Sequence, residues 1–429
     1  MNDISASNPQ WVYDSPILSD VEEKLRRFLV ELGIAGRITG IQVCAYKDGK
    51  VIIDTAAGVL GKDDPRPVQN DSLFPVFSTT KGVTAGMVHW LADKGKLKLD
   101  ENVANIWPEF GNKGKDQIKV NHVLNHTAGL HNALASITKD ATSYCDWDEC
   151  LKRIAMEEPE TEPGRQQLYH YLSYGWLCGG IIEHASGKKF QDILEDAFVR
   201  PLNLEGEFYI GIPPGVESRV ATVTIDPSDL DTIHNFLTAV ASSPTPFLPS
   251  SFTFEEAYRI ITSSNELNVR CAKIPAGNGH FSARALARFY AALVDGGVVP
   301  LPHPSTTIKT KETIDISDNV DFKIFNNTKE NIHDAFMGTG DYTDLVFPNG
   351  RFGLGFVKFN AADGSLIGFS HSGLGGSVGY CDIRNRFAMS VTLNKLTMGG
   401  FTDEIIRFVC SELNLSIPSD YAESTTKIN

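Results

Sequence analysis

Ser78-Thr79-Thr80-Lys81 sets a hydroxyl and an amine three positions apart. A short apolar run, Phe74 to Phe77, leads into it, and a helix-period run of Val83, Met87, Val88, Trp90 and Leu91 follows. Residues at i and i+3 share a helix face, so both side chains are expected at the first turn of one helix. A serine hydroxyl becomes an effective nucleophile when a neighbouring base takes its proton. A lysine can be that base when burial or a nearby positive end lowers its pKa. The chemistry expected of this pair is attack on an acyl carbonyl. The same spacing also occurs by chance on solvated helices, so the assignment depends on what else the chain supplies.

Two further segments supply it. One runs from Glu162-Pro163-Gly164 through Tyr169-His170-Tyr171 to Trp176. The other is Phe369-Ser370-His371-Ser372-Gly373-Leu374-Gly375-Gly376-Ser377-Val378-Gly379-Tyr380. With Leu124-Asn125-His126-Thr127-Ala128-Gly129-Leu130 between them and the first motif, their order resembles the class C β-lactamase-like serine hydrolases. That family includes penicillin-binding proteins, D-amino-acid peptidases, family VIII carboxylesterases and some acyltransferases. The resemblance runs from about residue 20 to 413 and extends to Gly277–Gly297, which looks like the helix before the last strands.

The resemblance implies roles. Ser78 stands at the nucleophile and Lys81 at the general base. Tyr169, framed by Pro163-Gly164, stands where the family has Tyr-x-Asn, and His371-Ser372-Gly373 stands at Lys-Thr-Gly. Lys81 and Tyr169 share the proton traffic; either can be the base, and the pair titrates as a unit. The oxyanion hole maps to the backbone N–H groups of Ser78 and Leu374; loss of one such donor typically costs about 100- to 1,000-fold in rate. The implied mechanism is a covalent acyl-enzyme without metal or cofactor.

The departures shape the substrate. Tyr171 replaces an asparagine whose amide helps hold a β-lactam, which implies an apolar, aromatic acyl pocket. His371 replaces a permanent cation with an imidazole that is mostly neutral near pH 7. Both changes point away from β-lactams and toward esters or other neutral small-molecule acyl groups. Ester hydrolysis is the leading expectation. Acyl transfer to an alcohol or amine is the second, since it differs in the acceptor and in water exclusion. A catalytically weak ligand-binding or scaffold protein is the third.

Three other groups compete for a role. Gly375-Gly376-Ser377-Val378-Gly379 matches a lipase nucleophile elbow, but that elbow needs a helix after it, and Tyr380 to Ile383 reads as a strand. His122 and His126 have i, i+4 spacing, yet Val123 stands where a zincin has Glu, so buried, hydrogen-bonded histidines are expected. Cys145 and Cys150 have no partners at zinc spacing and read as ordinary thiols.

The elements that must position the site follow from periodicity. Residues 19–33 read as an amphipathic helix, and residues 41–55 as a hairpin turning at Asp48-Gly49. A mostly helical stretch extends to about residue 200, including a helix from Ser173 to Ser186. Residues 212–275 are rich in Pro, Ser and Thr and read as an irregular lid. A helix over 282–295 precedes strands at 353–359, 365–370, 378–383 and 387–393, then a last helix over 401–413. The expected fold is α/β (α+β): an antiparallel sheet flanked by N- and C-terminal helices, with an inserted all-helical lobe, β-lactamase/transpeptidase-like. A single two-lobed domain is expected. Its α/β lobe takes in about 15–80 and 280–415, its helical lobe about 81–210, its lid about 212–275 and a disordered polar tail 416–429.

The charge balance is acidic, with 39 Lys and Arg against 53 Asp and Glu, net -14, and no basic cluster. Nucleic acid and anionic membrane need clustered positive charge and are not expected partners. The start has neither a basic nor an apolar signal region, and no apolar run approaches the roughly 20 residues that span a bilayer. Seven scattered cysteines fit reduced thiols, so a cytoplasmic location is expected.

Overall fold

A computed structural model describes residues 11–135, 143–243, 246–304, 322–398 and 400–422. Its centre is a six-stranded antiparallel sheet. The strands are β1 (Gly40–Lys47), β2 (Lys50–Gly58), β3 (Val357–Asn360), β4 (Leu366–Ser372), β5 (Val378–Asp382) and β6 (Phe387–Leu393), in the order β2-β1-β6-β5-β4-β3. The β1–β2 hairpin turns at Asp48 and Gly49, both at positive φ (52° and 75°), which is why this dipeptide suits a tight two-residue hairpin. In β1, Ile41, Val43 and Ala45 enter one core while Cys44 and Tyr46 enter another. That two-residue period makes the sheet the partition between two apolar layers.

The first layer holds the terminal helices. Helix α1 (Asp20–Ile34) starts at Ser19, whose hydroxyl accepts the Glu22 N–H at 3.1 Å, and buries Leu25, Leu29 and Leu32. The C-terminal helix over Phe401–Glu412 adds Ile405, Ile406 and Val409 to the same layer. The second layer holds the helical lobe, in which α2 (Thr80–Asp93) packs on α3 (Ser173–Ser186). The helix Ala283–Val294 lies directly on the sheet. A Cβ at Gly379 of β5 would stand 1.9 Å from the Tyr290 ring, so glycine is what lets that helix close on the strand. The expected antiparallel sheet, terminal helices and inserted helical lobe are all present. Trp176, Phe289 and Tyr290 are fully buried.

Three elements differ from the sequence reading. The strand expected over 353–359 begins only at Val357. Gly355 takes φ +97° and its absent Cβ would meet Ala85 at 2.4 Å, so this stretch bends around α2 instead of extending. The 212–275 segment is not irregular. It carries helices over Pro227–Ala241 and Phe254–Ser263, the second capped by Thr253, whose side chain accepts the Glu256 N–H. Ile233, Leu237, Ala257 and Ile261 join Phe77 and Leu396 in a separate apolar cluster, which supplies the packing that the Pro- and Ser-rich flanks concealed. Finally, the polar tail is tied down as far as Ala422. Leu415 and Ile417 pack on the first layer, and the buried Tyr421 ring sits 5.0 Å from Phe359 and 6.3 Å from Tyr380. Spaced apolar residues in a polar stretch were enough to dock it; residues 423–429 lie outside the described residues.

Tyr421→Ala removes a buried ring from that layer and is expected to destabilise by about 3–5 kcal/mol. Urea unfolding of the full chain reads this directly; an unchanged midpoint would mean the docked segment adds nothing to stability.

Candidate active site

Ser78 sits between a strand and a helix. The residues before it, Phe74–Pro75, form the edge of a small three-stranded sheet with Gly279–Phe281 and Phe208–Ile210, and Val76 N–H donates to Gly279 O at 2.9 Å. Phe77 then adopts φ +47°, an uncommon conformation for a bulky residue. Three successive i→i+3 bonds follow, from Thr79, Thr80 and Lys81 N–H to Val76, Phe77 and Ser78 O. Helix α2 therefore begins at Thr80, and Ser78 and Lys81 span its lead-in turn instead of its first helical turn. The side chains still meet: Lys81 Nζ lies 3.1 Å from Ser78 Oγ.

Lys81 is fully buried. Its Nζ donates to Tyr171 O at 2.8 Å and to Ala276 O at 2.8 Å. Burial lowers its pKa well below the usual lysine value. A neutral amine has two N–H donors and one lone pair. Carbonyl oxygens can only accept, so the two of them occupy both N–H groups. That leaves the lone pair of the neutral amine for the Ser78 hydroxyl, whereas in the ammonium form the third N–H donates to Ser78 Oγ.

Tyr169 completes this group. Its N–H donates to Phe247 O at 2.8 Å, its ring stacks on Phe352 at 5.7 Å, and Lys81 Nζ lies 4.9 Å from its ring centroid. Burial raises the phenol pKa, and a hydrogen bond with Ser78 opposes that rise with smaller effect. Ser78, Tyr169, Tyr171 and Leu374 line one cleft of about 680 Å³. The rest of its wall is largely apolar and includes Phe77, Tyr144, Phe252, Ile260 and Ile274. Tyr171 is buried and packs on Phe252 at 4.7 Å.

The 371–373 segment divides. His371 in β4 faces the helical lobe, where a Cβ at Gly82 of α2 would meet its Cβ at 3.2 Å, and it is not among the residues that wall the cleft. Burial, and then the nearby Lys81, push its pKa down to about 3, so the ring is neutral. Ser372 points to the other face and is exposed in a groove with Arg351, Thr402 and Tyr421. Gly373 approaches the Ser78 strand so closely that a Cβ would lie 2.1 Å from Val76 O. That approach brings the next residue, Leu374, to the cleft. The sequence placed all three residues in a substrate pocket. Strand alternation sends His371 and Ser372 to opposite faces, and only their neighbour Leu374 reaches it.

Other groups found places that spacing alone did not reveal. His126 (φ +63°) packs 4.8 Å from the Tyr169 ring, and its Nδ1 accepts the His170 N–H at 3.1 Å. His170 in turn accepts the Leu130 N–H on Nε2 and contacts Leu168 O through Nδ1. Among the described residues, no group of three or more His, Cys, Asp or Glu side chains gathers as a metal site. Ser377 is buried, its carbonyl accepts from Thr79 Oγ1 at 2.9 Å, and a strand follows it. None of the seven cysteines is joined in a disulfide. Ala276 escaped the sequence reading because its contribution is a backbone carbonyl, which no residue type signals.

The sequence profile named Beta-lactamase matches residues 25–409. The chain belongs to the beta-lactamase family. A relative within reach of that family, Esterase/beta-lactamase LipL of Mycobacterium tuberculosis, is 30% identical over 366 residues, 84% of this chain and 78% of that protein. Two solved structures share the beta-lactamase/transpeptidase fold. One is a family VIII carboxylesterase (TM-score 0.68, 24% identity, 90% of this chain and 94% of that one). The other is a penicillin-binding protein homologue from Caulobacter crescentus (TM-score 0.67, 26% identity, 90% and 94%). Among the described residues of this beta-lactamase-family chain, no helix is long and apolar enough to cross a membrane.

The buried imidazoles make a pH prediction. Burial lowers the pKa of His170 and His371 to about 3, from an ordinary 6.5, and lowers that of His126 well below the same value. Between those limits the unfolded chain binds more protons than the folded one, so stability rises with pH and is lost as pH falls below about 6.5. Each such ring contributes more than ~1 kcal/mol per pH unit in that window. The urea midpoint is expected to drop steeply from about pH 7 to about pH 5. A flat midpoint over that range would mean the rings accept protons in the folded state.

Proposed function

We propose that this beta-lactamase-family chain hydrolyses carboxylic esters through an acyl-Ser78 intermediate. The observation that carries the reading is the buried Lys81 amine, whose Nζ donates to two carbonyls at 2.8 Å and lies 3.1 Å from Ser78 Oγ. In the first step Lys81 takes the Ser78 proton as Oγ bonds to the ester carbonyl carbon. The oxyanion is held by the N–H groups of Ser78 and Leu374. The adjacent amides of Thr79, Thr80, Lys81 and Gly373 are engaged elsewhere, on Val76, Phe77, Ser78 and Ser377 carbonyls.

Collapse of the tetrahedral adduct breaks the bond to the alcohol oxygen, which leaves with a proton. Tyr169 fits that delivery, because burial keeps its phenol protonated, and the proton held on Lys81 replaces the one given. Water then repeats the sequence on the acyl-enzyme, releasing the acid and restoring Ser78.

An uncharged acyl group follows from the cleft wall, to which no Lys, Arg, Asp or Glu contributes among the described residues. The imidazole at position 371 is neutral and not part of the wall, so it offers no fixed cation to an anionic substrate.

The test is mass spectrometry after a serine-reactive phosphonate, with turnover of short-chain esters alongside. A Ser78-linked adduct is expected in the wild type and in neither Ser78→Ala nor Lys81→Ala, with turnover falling by more than ~1,000-fold in both. No adduct and no turnover would leave a ligand-binding protein. New esters formed on adding alcohols would move the reading to acyl transfer.

A further inference from the structure

Phe252, a wall residue of the Ser78 cleft, also lines a second, largely apolar space. This groove, of about 800 Å³, runs against the helix Pro227–Ala241 and is walled by Leu237, Val240, Pro246, Leu248, Phe252 and Phe254. Phe252 is the residue the two spaces share. Among the described residues that wall the groove, only His234 and Glu255 bear titratable groups.

The ring is placed like a movable partition. On the cleft side it leans on Tyr171 at 4.7 Å with planes 52° apart. Its N–H is held by Pro249 O at 3.0 Å, so the backbone is fixed while the side chain is only partly buried. Partly exposed side chains change rotamer rapidly, whereas close-packed core rings do not.

We infer that Phe252 is a chain-length gate, and that the groove behind it receives the distal part of a long acyl chain. This rests on the ester-hydrolase reading of Ser78. An acyl chain is the occupant that fits, since the groove continues the cleft that would hold the carbonyl end and shares its apolar character. Each methylene moved from water into such a space is worth about fourfold in binding. That gain accumulates along the cleft, stops where the chain meets Phe252, and resumes when the ring is removed.

The test is kcat/KM for p-nitrophenyl acetate, butyrate, octanoate, dodecanoate and palmitate, with the wild type and Phe252→Ala. The wild type should favour the short esters. Phe252→Ala should raise the ratio of kcat/KM for dodecanoate to that for acetate by at least ~10-fold. Thr238→Trp, at an exposed position on the groove wall, should cancel that gain when combined with Phe252→Ala and leave acetate turnover alone. Phe252→Leu serves the same comparison with a smaller change in packing. An unchanged chain-length profile in both position-252 variants, with esters still hydrolysed, overturns the gate. A gain that survives Thr238→Trp overturns the groove as its destination. Failure of the wild type on every ester overturns the hydrolase reading itself.

Discussion

A lysine buried without a carboxylate is the constraint around which this molecule is arranged. Among the described residues no counter-ion stands at the Lys81 amine; it has two carbonyl oxygens and a hydroxyl. A charged ammonium there would carry a desolvation cost that carbonyl dipoles offset only in part, so the neutral amine is the favoured form. The two carbonyls come from Tyr171 and Ala276, 90 and 195 residues away in sequence. The amine therefore also fixes the Tyr169–Tyr171 segment and the 275–278 segment beside Ser78. One buried polar group sets both the protonation state of the site and its outline.

Backbone contact completes what the amine begins. Gly373 lets the β4 end touch Val76 O, and Thr79 Oγ1 ties the same turn to Ser377 O. Thr80 Oγ1 accepts the Gly279 N–H at 2.8 Å while donating to Phe77 O at 2.6 Å, which braces the strained Phe77 from the small sheet. Strain of this kind persists only where surrounding bonds over-determine it. Here they come from three separate segments, and the serine is held between them.

Much of this was legible in the sequence because it rests on residue type and period. The hairpin turns at Asp48-Gly49 as patterning gave, and the Ser173–Ser186 helix and the Phe387–Leu393 strand have the bounds that patterning gave. The meeting of Ser78 with Lys81 and Tyr169 followed motif order. What escaped depends on direction and on backbone. Ala276 acts through a carbonyl. His371 and Ser372 are neighbours in sequence but face opposite sides of a strand, so a motif match could not say that Leu374, and neither of them, lines the cleft. The helices of the 212–275 segment bury their apolar faces on Phe77 and Leu396, contacts that no local window contains. Tyr421 was hidden in the same way, by a docking site formed from Phe359 and Tyr380.

The charge around the site bears on what it can accept. His126, His170 and His371 lie near Lys81, and each of their charged forms would push its pKa lower. Burial holds all three rings neutral, so the layer beneath the cleft is polarisable yet uncharged. A fixed cation there would attract an anionic substrate and would also stabilise a serine alkoxide without any base. On the proposed reading, proton removal from Ser78 then falls to Lys81, and affinity comes from apolar contact with Tyr171, Phe252 and their neighbours. Neutrality beneath the cleft and an aromatic wall around it are thus two consequences of one arrangement. The pair explains why a site on a beta-lactamase framework would favour an acyl chain over a carboxylate.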